Sequence, residues 1–321
     1  MSNIEVVGLG ALNIDHIYKV ERILDDGEAV VNRTISSPGG SAANTVYGLA
    51  KLGVSAGFIG AIGDDAEGKI LLQDFQKVGA DISHIGTRRG ARTGSVLCLS
   101  DQLGKRSLYV IPGANNQLTT DDLDLTYINQ AQMLHITSFV DEQQLKLLLE
   151  LMIKLDFPVE VSFSPGALYA SKGLPTLTPL LARTHVLFLN ESEMRQLTGE
   201  DFNSGAQRCL DLGCHIAVVT LGKGASYKNT IAASYIRTAG GEYLIEPSDK
   251  SIIPASDTVG AGDAFAAGFL YGLIKGEGLE KCGRLGDIVA RFSITKTGAR
   301  QGLPTFNQLA QRYRELYSEQ L

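Results

Sequence analysis

One stretch near the end of the chain constrains its fold and chemistry more than any other: Pro254-Ala255-Ser256-Asp257-Thr258-Val259-Gly260-Ala261-Gly262-Asp263-Ala264-Phe265-Ala266-Ala267-Gly268-Phe269. A proline-led extended segment gives way to residues that favour helix caps, then to a Gly-Ala-Gly turn. Asp263 follows, just ahead of Phe265, Phe269, Leu270 and Leu273 at helical spacing. The pattern predicts a turn feeding a helix N-terminus. Such an end presents unpaired N–H groups with partial positive charge, and the glycines remove side chains that would hold an anion at a distance. A phosphate group suits that cradle. A carboxylate in the same turn would repel it, unless Asp263 takes the proton from a hydroxyl that attacks phosphorus while the amides hold the charge on the transferred oxygens. The other reading has Asp263 complementing the helix dipole, worth about 0.3–1 kcal/mol, and the glycines serving a close helix–strand contact. This stretch alone leaves both open.

The 321 residues are 44% hydrophobic and 20% charged, which suits a globular enzyme with a sizeable core. Thirty-six glycines against nine prolines, without a period, predict many tight strand–helix turns. Net charge is −6 and basic residues do not cluster beyond pairs such as Arg88-Arg89, so no nucleic-acid surface is expected. The cysteines, Cys98, Cys209, Cys214 and Cys282, lack C-x-x-C spacing. The N-terminus lacks a signal pattern, and no apolar run approaches the ~20 residues of a spanning helix. The expectation is a cytoplasmic protein with no membrane partner.

Ile4 to Gly10 reads as a buried strand ending in glycine, with Asn13 and Asp15 just beyond, where open α/β sheets place ligands. Asn13 stands where a dinucleotide fingerprint needs its third glycine, which weighs against a nicotinamide dehydrogenase. Residues 14–37 and 92–112 alternate apolar and polar residues around turns. They predict either a small separate β-sheet, of the kind that makes a lid, or edge hairpins of one large sheet. Between them, Pro38-Gly39-Gly40 opens a helix carrying Ala43, Asn44, Val46, Leu49 and Leu52. Asn44 reads either as a hydroxyl ligand or as a helix-end partner. Gly63 to Ile70 imitates P-loop spacing, but Ile70 replaces the required hydroxyl and three acidic residues would repel phosphate.

Beyond Asn116, strands alternate with helices in a doubly wound pattern: strands at Met133 to Thr137, Val159 to Phe163, Val186 to Leu189 and Ile216 to Leu221, helices at Gln143 to Lys154 and Ala206 to Leu212. Polar residues fall at the strand ends, namely Ser138, Ser164, Asn190 with Glu193, and Thr220 with Gly222-Lys223-Gly224, and together predict a shared cleft. The five histidines are dispersed, which argues against a structural metal site, and no G-x-S-x-G elbow is present.

Taken in order, Gly10-Ala11-Leu12-Asn13-Ile14-Asp15, Pro38 to Asn44, Gly113-Ala114-Asn115, Asn190-Glu191-Ser192-Glu193, Thr220-Leu221-Gly222-Lys223-Gly224 and Asp257 to Asp263 resemble the ribokinase-like family, the phosphofructokinase-B type of carbohydrate and nucleoside kinases. The resemblance spans nearly the whole chain. It implies a single domain, 1–321, with a three-layer α/β/α sandwich, a mainly parallel sheet, and a β lid from residues 14–37 and 92–112, through which members often dimerise.

The resemblance implies Asp263 as the base, with Gly260, Ala261 and Gly262 as the anion hole. It implies Asn13, Asp15, Gly39, Gly40 and Asn44 as ligands of the acceptor's hydroxyls. Asn190, Thr220, Gly222, Lys223 and Gly224 would lie along ATP, and Glu193 would position Mg²⁺ through water. Asp257, the Val259 carbonyl and Ser293, Lys296 and Gly298 resemble a monovalent-cation loop suited to K⁺, although Gly302 replaces the serine of ribokinase. The expected function is ATP- and Mg²⁺-dependent phosphorylation of a hydroxymethyl group on a small sugar, with a nucleoside as the alternative acceptor. A phosphorylated sugar would call on Arg92, Lys105 and Arg106, and a regulator that kept the fold without catalysis is the non-enzymatic alternative.

Overall fold

The computed structural model describes residues 4–101, 106–156, 158–248 and 257–321. Their strands are β1 (Val6–Leu9), β2 (Asn13–Val20), β3 (Val31–Gly39), β4 (Ala56–Gly63), β5 (Ile85–Arg88), β6 (Gly94–Ser100), β7 (Arg106–Ile111), β8 (Met133–Thr137), β9 (Glu160–Ser164), β10 (Thr184–Asn190), β11 (Ile216–Tyr227), β12 (Thr230–Thr238) and β13 (Gly241–Ile245). Nine of them form one sheet in the order β13-β12-β11-β10-β9-β8-β1-β4-β5. It is parallel from β5 through β11, and the hairpin β12–β13 adds an antiparallel edge.

Alternation along each inner strand splits the core into two layers, because successive side chains leave a strand on opposite faces. Val6, Met133, Val186, Phe188, Ile216 and Val218 pack under the helices Ser41–Lys51, Ala261–Ile274, Leu279–Ser293 and Phe306–Tyr317. Their neighbours Val7, Leu134, Leu187, Leu189, Ala217 and Val219 pack under Glu142–Lys154, Gly173–Leu181, Glu191–Thr198 and Phe202–Asp211. The result is the three-layer α/β/α arrangement expected. With both faces covered, inner strands such as β4 are buried at every residue.

The remaining strands, in the order β3-β2-β6-β7, form a second sheet, which decides against edge hairpins of one large sheet. β2 pairs antiparallel with β3 but parallel with β6, so the two insertions interlock. This sheet exposes Val31, Leu108, Tyr109, Val110 and Ile111, with Val30 just before it.

The imitation P-loop is a capped helix start: Asp65 accepts from the Gly68 amide at 2.8 Å and from the Thr93 amide and hydroxyl at 2.8 and 2.6 Å, tying the Ala66–Lys77 helix to the second sheet. The helix expected from Ala206 begins four residues earlier, where Asp201 caps the amides of Asn203 and Ser204. Among the described residues, no helix is long and apolar enough to cross a membrane.

Candidate active site

The parallel strands direct their carboxyl ends to one edge of the sheet, where β1 ends at Leu9, β8 at Thr137, β9 at Ser164 and β10 at Asn190, with Thr220 of β11 in register with Asn190. The helix Ala261–Ile274 starts at this edge, and Asp263 lies in its first turn. Gly260 is its N-cap with φ of 75°, a left-handed conformation, and a β-carbon there would strike Ala299. The amide of Ala261 donates to the Thr258 carbonyl at 3.3 Å. Those of Gly262 and Asp263 have no backbone acceptor among the described residues. A β-carbon on Gly262 would meet nothing within 4 Å, so the cradle opens onto free space. The proline-led segment through Ser256 lies outside the described residues.

Asp263 is half-buried, and both carboxylate oxygens are engaged from the Gly-Gly helix. The Ser41 hydroxyl donates to Oδ1 at 2.6 Å and the Asn44 side-chain amide to Oδ2 at 2.8 Å, while Thr45 donates to the Asp263 carbonyl at 3.3 Å. Burial raises the pKa of Asp263 above the usual aspartate value, against the downward pull of the Ser41 and Asn44 hydrogen bonds and the Arg300 charge. Asn44 therefore faces the carboxylate, and Gly40 is the residue at its own helix's end. Asp15 also lies here. Burial pushes its pKa up to about 7, opposed by Arg300 and reinforced by Asp263 and Asp257.

The glycines on this side make room for close neighbours. A β-carbon on Gly39 would collide with the Asp15 carboxylate, and one on Gly40, whose φ is 95°, with the Ala11 carbonyl. Asn13 is buried and accepts from Asn115 Nδ2 at 2.9 Å. Asn115 also exchanges bonds with the Leu12 backbone at 2.9 and 3.1 Å, so the Gly113-Ala114-Asn115 segment sets the register of the β1–β2 turn.

Within the electrostatic reach of Asp263, Asn190 and Glu193 form a reciprocal capping box: the Glu193 amide donates to Asn190 Oδ1 at 2.8 Å and the Asn190 amide to Glu193 Oε2 at 2.9 Å. Burial, and then the charge of Asp263, raise the pKa of Glu193 against those bonds. Gly222 and Gly224 both have positive φ, of 59° and 105°, where the pairing of β11 with β12 slips between Thr220 and Ala225. The side chains of Lys223 and Arg106, and all of Lys105, lie outside the described residues, and Arg92 is exposed.

Asp257 lies against the 293–298 loop. Asp257 Oδ1 accepts from the Val259 amide at 3.0 Å and Oδ2 from the Gly298 amide at 3.1 Å. Its own amide donates to the Ile294 carbonyl at 3.4 Å. Ser293 is buried with its hydroxyl on the Ala290 carbonyl at 2.7 Å, whereas Lys296 is exposed.

A pfkB family carbohydrate kinase profile matches residues 3–306. The chain belongs to the pfkB family of carbohydrate kinases. An uncharacterized sugar kinase of Archaeoglobus fulgidus is 36% identical over 80% of this chain and 98% of its own length. An ATP-dependent ribose-1-phosphate kinase of Halopiger xanaduensis is 28% identical over 96% and 97%. The structure of Arabidopsis thaliana ribokinase complexed with ribose and ATP superposes with a TM-score of 0.79, at 25% identity over 96% of this chain and 98% of that one. As a pfkB kinase the chain is a phosphotransferase with an alcohol group as acceptor, within the ribokinase-like set of sugar and nucleoside kinases.

Two residues at this candidate site escape a reading of the sequence, Ser41, which bonds Asp263, and Arg300. Arg300, 3% exposed, donates to Asn44, Asp74 and the Gly39 carbonyl. Its partners precede it by more than 200 residues and share no local pattern with it. The only signal is a lone arginine inside the glycine-flanked run Gly298-Ala299-Arg300-Gln301-Gly302.

Proposed function

We propose that this kinase transfers the γ-phosphoryl group of ATP to a hydroxymethyl group of a small, uncharged sugar, with Asp263 as the base. The observation that carries the reading is one turn with two kinds of group: a carboxylate held by Ser41 and Asn44, beside N–H groups of Gly262 and Asp263 that have no backbone acceptor among the described residues, where a β-carbon on Gly262 would meet nothing within 4 Å. Asp263 already accepts a hydrogen bond from an alcohol, Ser41, at the 2.6 Å that general-base geometry calls for. An acceptor hydroxyl entering there displaces Ser41 and passes its proton to Asp263 as its oxygen bonds to phosphorus. The bond from phosphorus to the bridging oxygen breaks and ADP leaves. Gly260, with its left-handed backbone, and Ala261, whose amide closes the turn onto Thr258, hold the Gly262 and Asp263 amides where they stabilise the spreading charge.

Asn13, Asp15, Gly39, Gly40 and Asn44 take the sugar hydroxyls, offering donors and acceptors together, as a polyol needs. Among the described residues, the buried cation of this end, Arg300, has each of its three nitrogens bonded to protein, and Asp15 and Asp263 would repel a second phosphate. That balance favours a neutral acceptor over a phosphorylated one.

Asn190, Thr220, Gly222, Lys223 and Gly224 line the nucleotide. A Mg²⁺ ion fits Glu193, whose Oε2 is spent on the cap and whose other oxygen can hold a water of the ion's shell. Among the described residues no group of three His, Cys, Asp or Glu offers a full protein cage, the arrangement expected of a cation that keeps its waters and phosphate ligands. Bound there, Mg²⁺ would neutralise phosphate charge. Asp257, Val259, Ser293, Lys296 and Gly298 form the loop for a monovalent cation such as K⁺. We further read the chain as one cytoplasmic domain whose second sheet, 14–37 with 92–112, is a lid. Its exposed Leu108, Tyr109 and Ile111 are proposed to join two copies into a homodimer.

Coupled ADP release with ribose, fructose, 2-keto-3-deoxygluconate, adenosine, cytidine, ribose 1-phosphate and fructose 6-phosphate tests the reading. A neutral sugar is expected to give the highest kcat/KM. A nucleoside or a phosphosugar in that place would overturn the choice of acceptor, and no release with any alcohol would favour a regulator. Sedimentation of the protein and of Leu108→Glu tests the dimer, which is expected to dissociate in the variant.

A further inference from the structure

Arg300 is the only buried arginine or lysine among the described residues. Removing a guanidinium from water is costly unless its donors are met, and here every arm is used. Nε donates to Asn44 Oδ1 at 2.9 Å, one terminal nitrogen to Asp74 Oδ2 at 2.9 Å and the other to the Gly39 carbonyl at 3.0 Å. Its Cζ lies over the rings of Tyr47 and Phe75, 5.2 Å from each centroid. A lysine could neither reach three acceptors at once nor stack in this way.

The Asn44 side chain has one donor end and one acceptor end, and a guanidinium can only donate. By taking Oδ1, Arg300 leaves the Nδ2 end for Asp263, which it reaches at 2.8 Å. The same guanidinium anchors Gly39, whose missing β-carbon is what lets Asp15 lie against the turn. We propose that Arg300 is the positioning residue of the acceptor site: it dictates which end of the Asn44 amide meets Asp263, and so the direction from which the base receives the acceptor's proton.

This inference rests on Asp263 being the base. The groups facing Asp263 are Ser41, Asn44 and Thr45 from the Gly-Gly helix, Arg300 from the 298–302 run, and the carboxylates of Asp15 and Glu193. Burial raises both Asp15 and Asp263, and the Arg300 charge pulls both back down. A variant without that charge therefore moves the acid limb of activity to higher pH, whereas one that keeps the charge does not.

The test compares Arg300→Lys, Arg300→Gln and Asn44→Ala, alone and with Arg300→Lys and Asn44→Ala combined, by kcat, acceptor KM, ATP affinity and the pH profile of kcat/KM. Arg300→Lys is expected to lose roughly 100-fold in kcat/KM through misplacement of the base, with ATP affinity and acid limb retained. Arg300→Gln is expected to lose at least as much and to shift the acid limb upward. In the Asn44→Ala background most of the lysine penalty should vanish, because the two residues act in series. Wild-type kcat/KM in Arg300→Lys, full additivity with Asn44→Ala, or an unmoved limb in a folded Arg300→Gln would each overturn the proposal. Should Arg300→Gln fail to fold, the lysine variant and the double-mutant cycle decide. An active Asp263→Asn would instead remove the base assignment itself, so the two failures are distinguishable.

Discussion

The two ends of the candidate site are built on opposite plans. At the proposed acceptor end, side chains do the work: Ser41, Asn44, Asp263 and Arg300 form a hydrogen-bonded cluster, and the Asp15 carboxylate lies so close to Gly39 that a β-carbon there has no room. At the proposed phosphate end the backbone dominates. The Gly262 and Asp263 amides lack backbone partners among the described residues, and β-carbons on Gly222 or Gly262 would meet nothing within 4 Å. Main-chain amides recognise the oxygens that every phosphoryl donor presents, while interlocked side chains recognise one arrangement of hydroxyls. The difference teaches where selectivity should reside. Substitutions at the acceptor end should alter substrate choice and proton transfer, and those at the phosphate end should slow every acceptor alike.

The largest expected effect is in Asp263→Asn, which keeps the Asn44 contact region filled but accepts no proton. Turnover should fall roughly 1,000-fold while ATP affinity changes little, as rapid-quench and calorimetric measurements would show. Next comes Gly262→Val, which fills the open face of the cradle without touching the core. Roughly 100-fold loss of kcat is expected, equal for all acceptors, with thermal unfolding nearly unchanged. Unequal loss among acceptors would break the division between the two ends.

Glu193→Gln separates a cap from a metal contact. Glutamine also closes a capping box, so stability should stay within about 0.5 kcal/mol of wild type. The Mg²⁺ concentration for half-maximal rate should rise roughly tenfold. A stability loss without a Mg²⁺ effect would leave only the cap.

The smallest effect belongs to Asp15→Asn, with acceptor KM up roughly fivefold from one altered hydrogen bond. Its sharper signature is thermal. Burial raises the folded-state pKa of Asp15 from 3.8 to about 7, so the native state binds this proton more tightly than the unfolded chain. The wild type should therefore lose stability as pH rises from 4 to 7, a decline that calorimetry should find reduced in Asp15→Asn.

Much of this was legible in the chain. The apolar runs of β1, β8, β10 and β11 announced an inner parallel sheet, and alternation in 14–37 and 92–112 announced the second sheet, although alternation could not say whether the two sheets were joined. The hairpin β11–β12 left little trace because its turn, Lys228-Asn229, takes positive φ of 48° and 64° without a glycine. Asn190 and Glu193 are visible at any distance as an N-x-x-E pair, yet that spacing suits a capping box and a cation contact equally, and the fold uses it at least for the first. Ser41 on Asp263 and Arg300 on Asn44 were out of reach, since each joins residues more than 200 positions apart whose meeting depends on how the helices Ser41–Lys51 and Ala261–Ile274 pack.

In the mechanism proposed, Asp263 serves the acceptor while the neighbouring amides serve the phosphate. A crystal structure with the best acceptor and a non-hydrolysable ATP analogue tests it most directly. The hydroxymethyl oxygen is predicted to lie within about 3 Å of an Asp263 carboxylate oxygen, in place of Ser41, with γ-phosphate oxygens on the Gly262 and Asp263 amides. A hydroxymethyl group turned away from Asp263 while Ser41 still holds it, or a γ-phosphate bound elsewhere, would contradict the account.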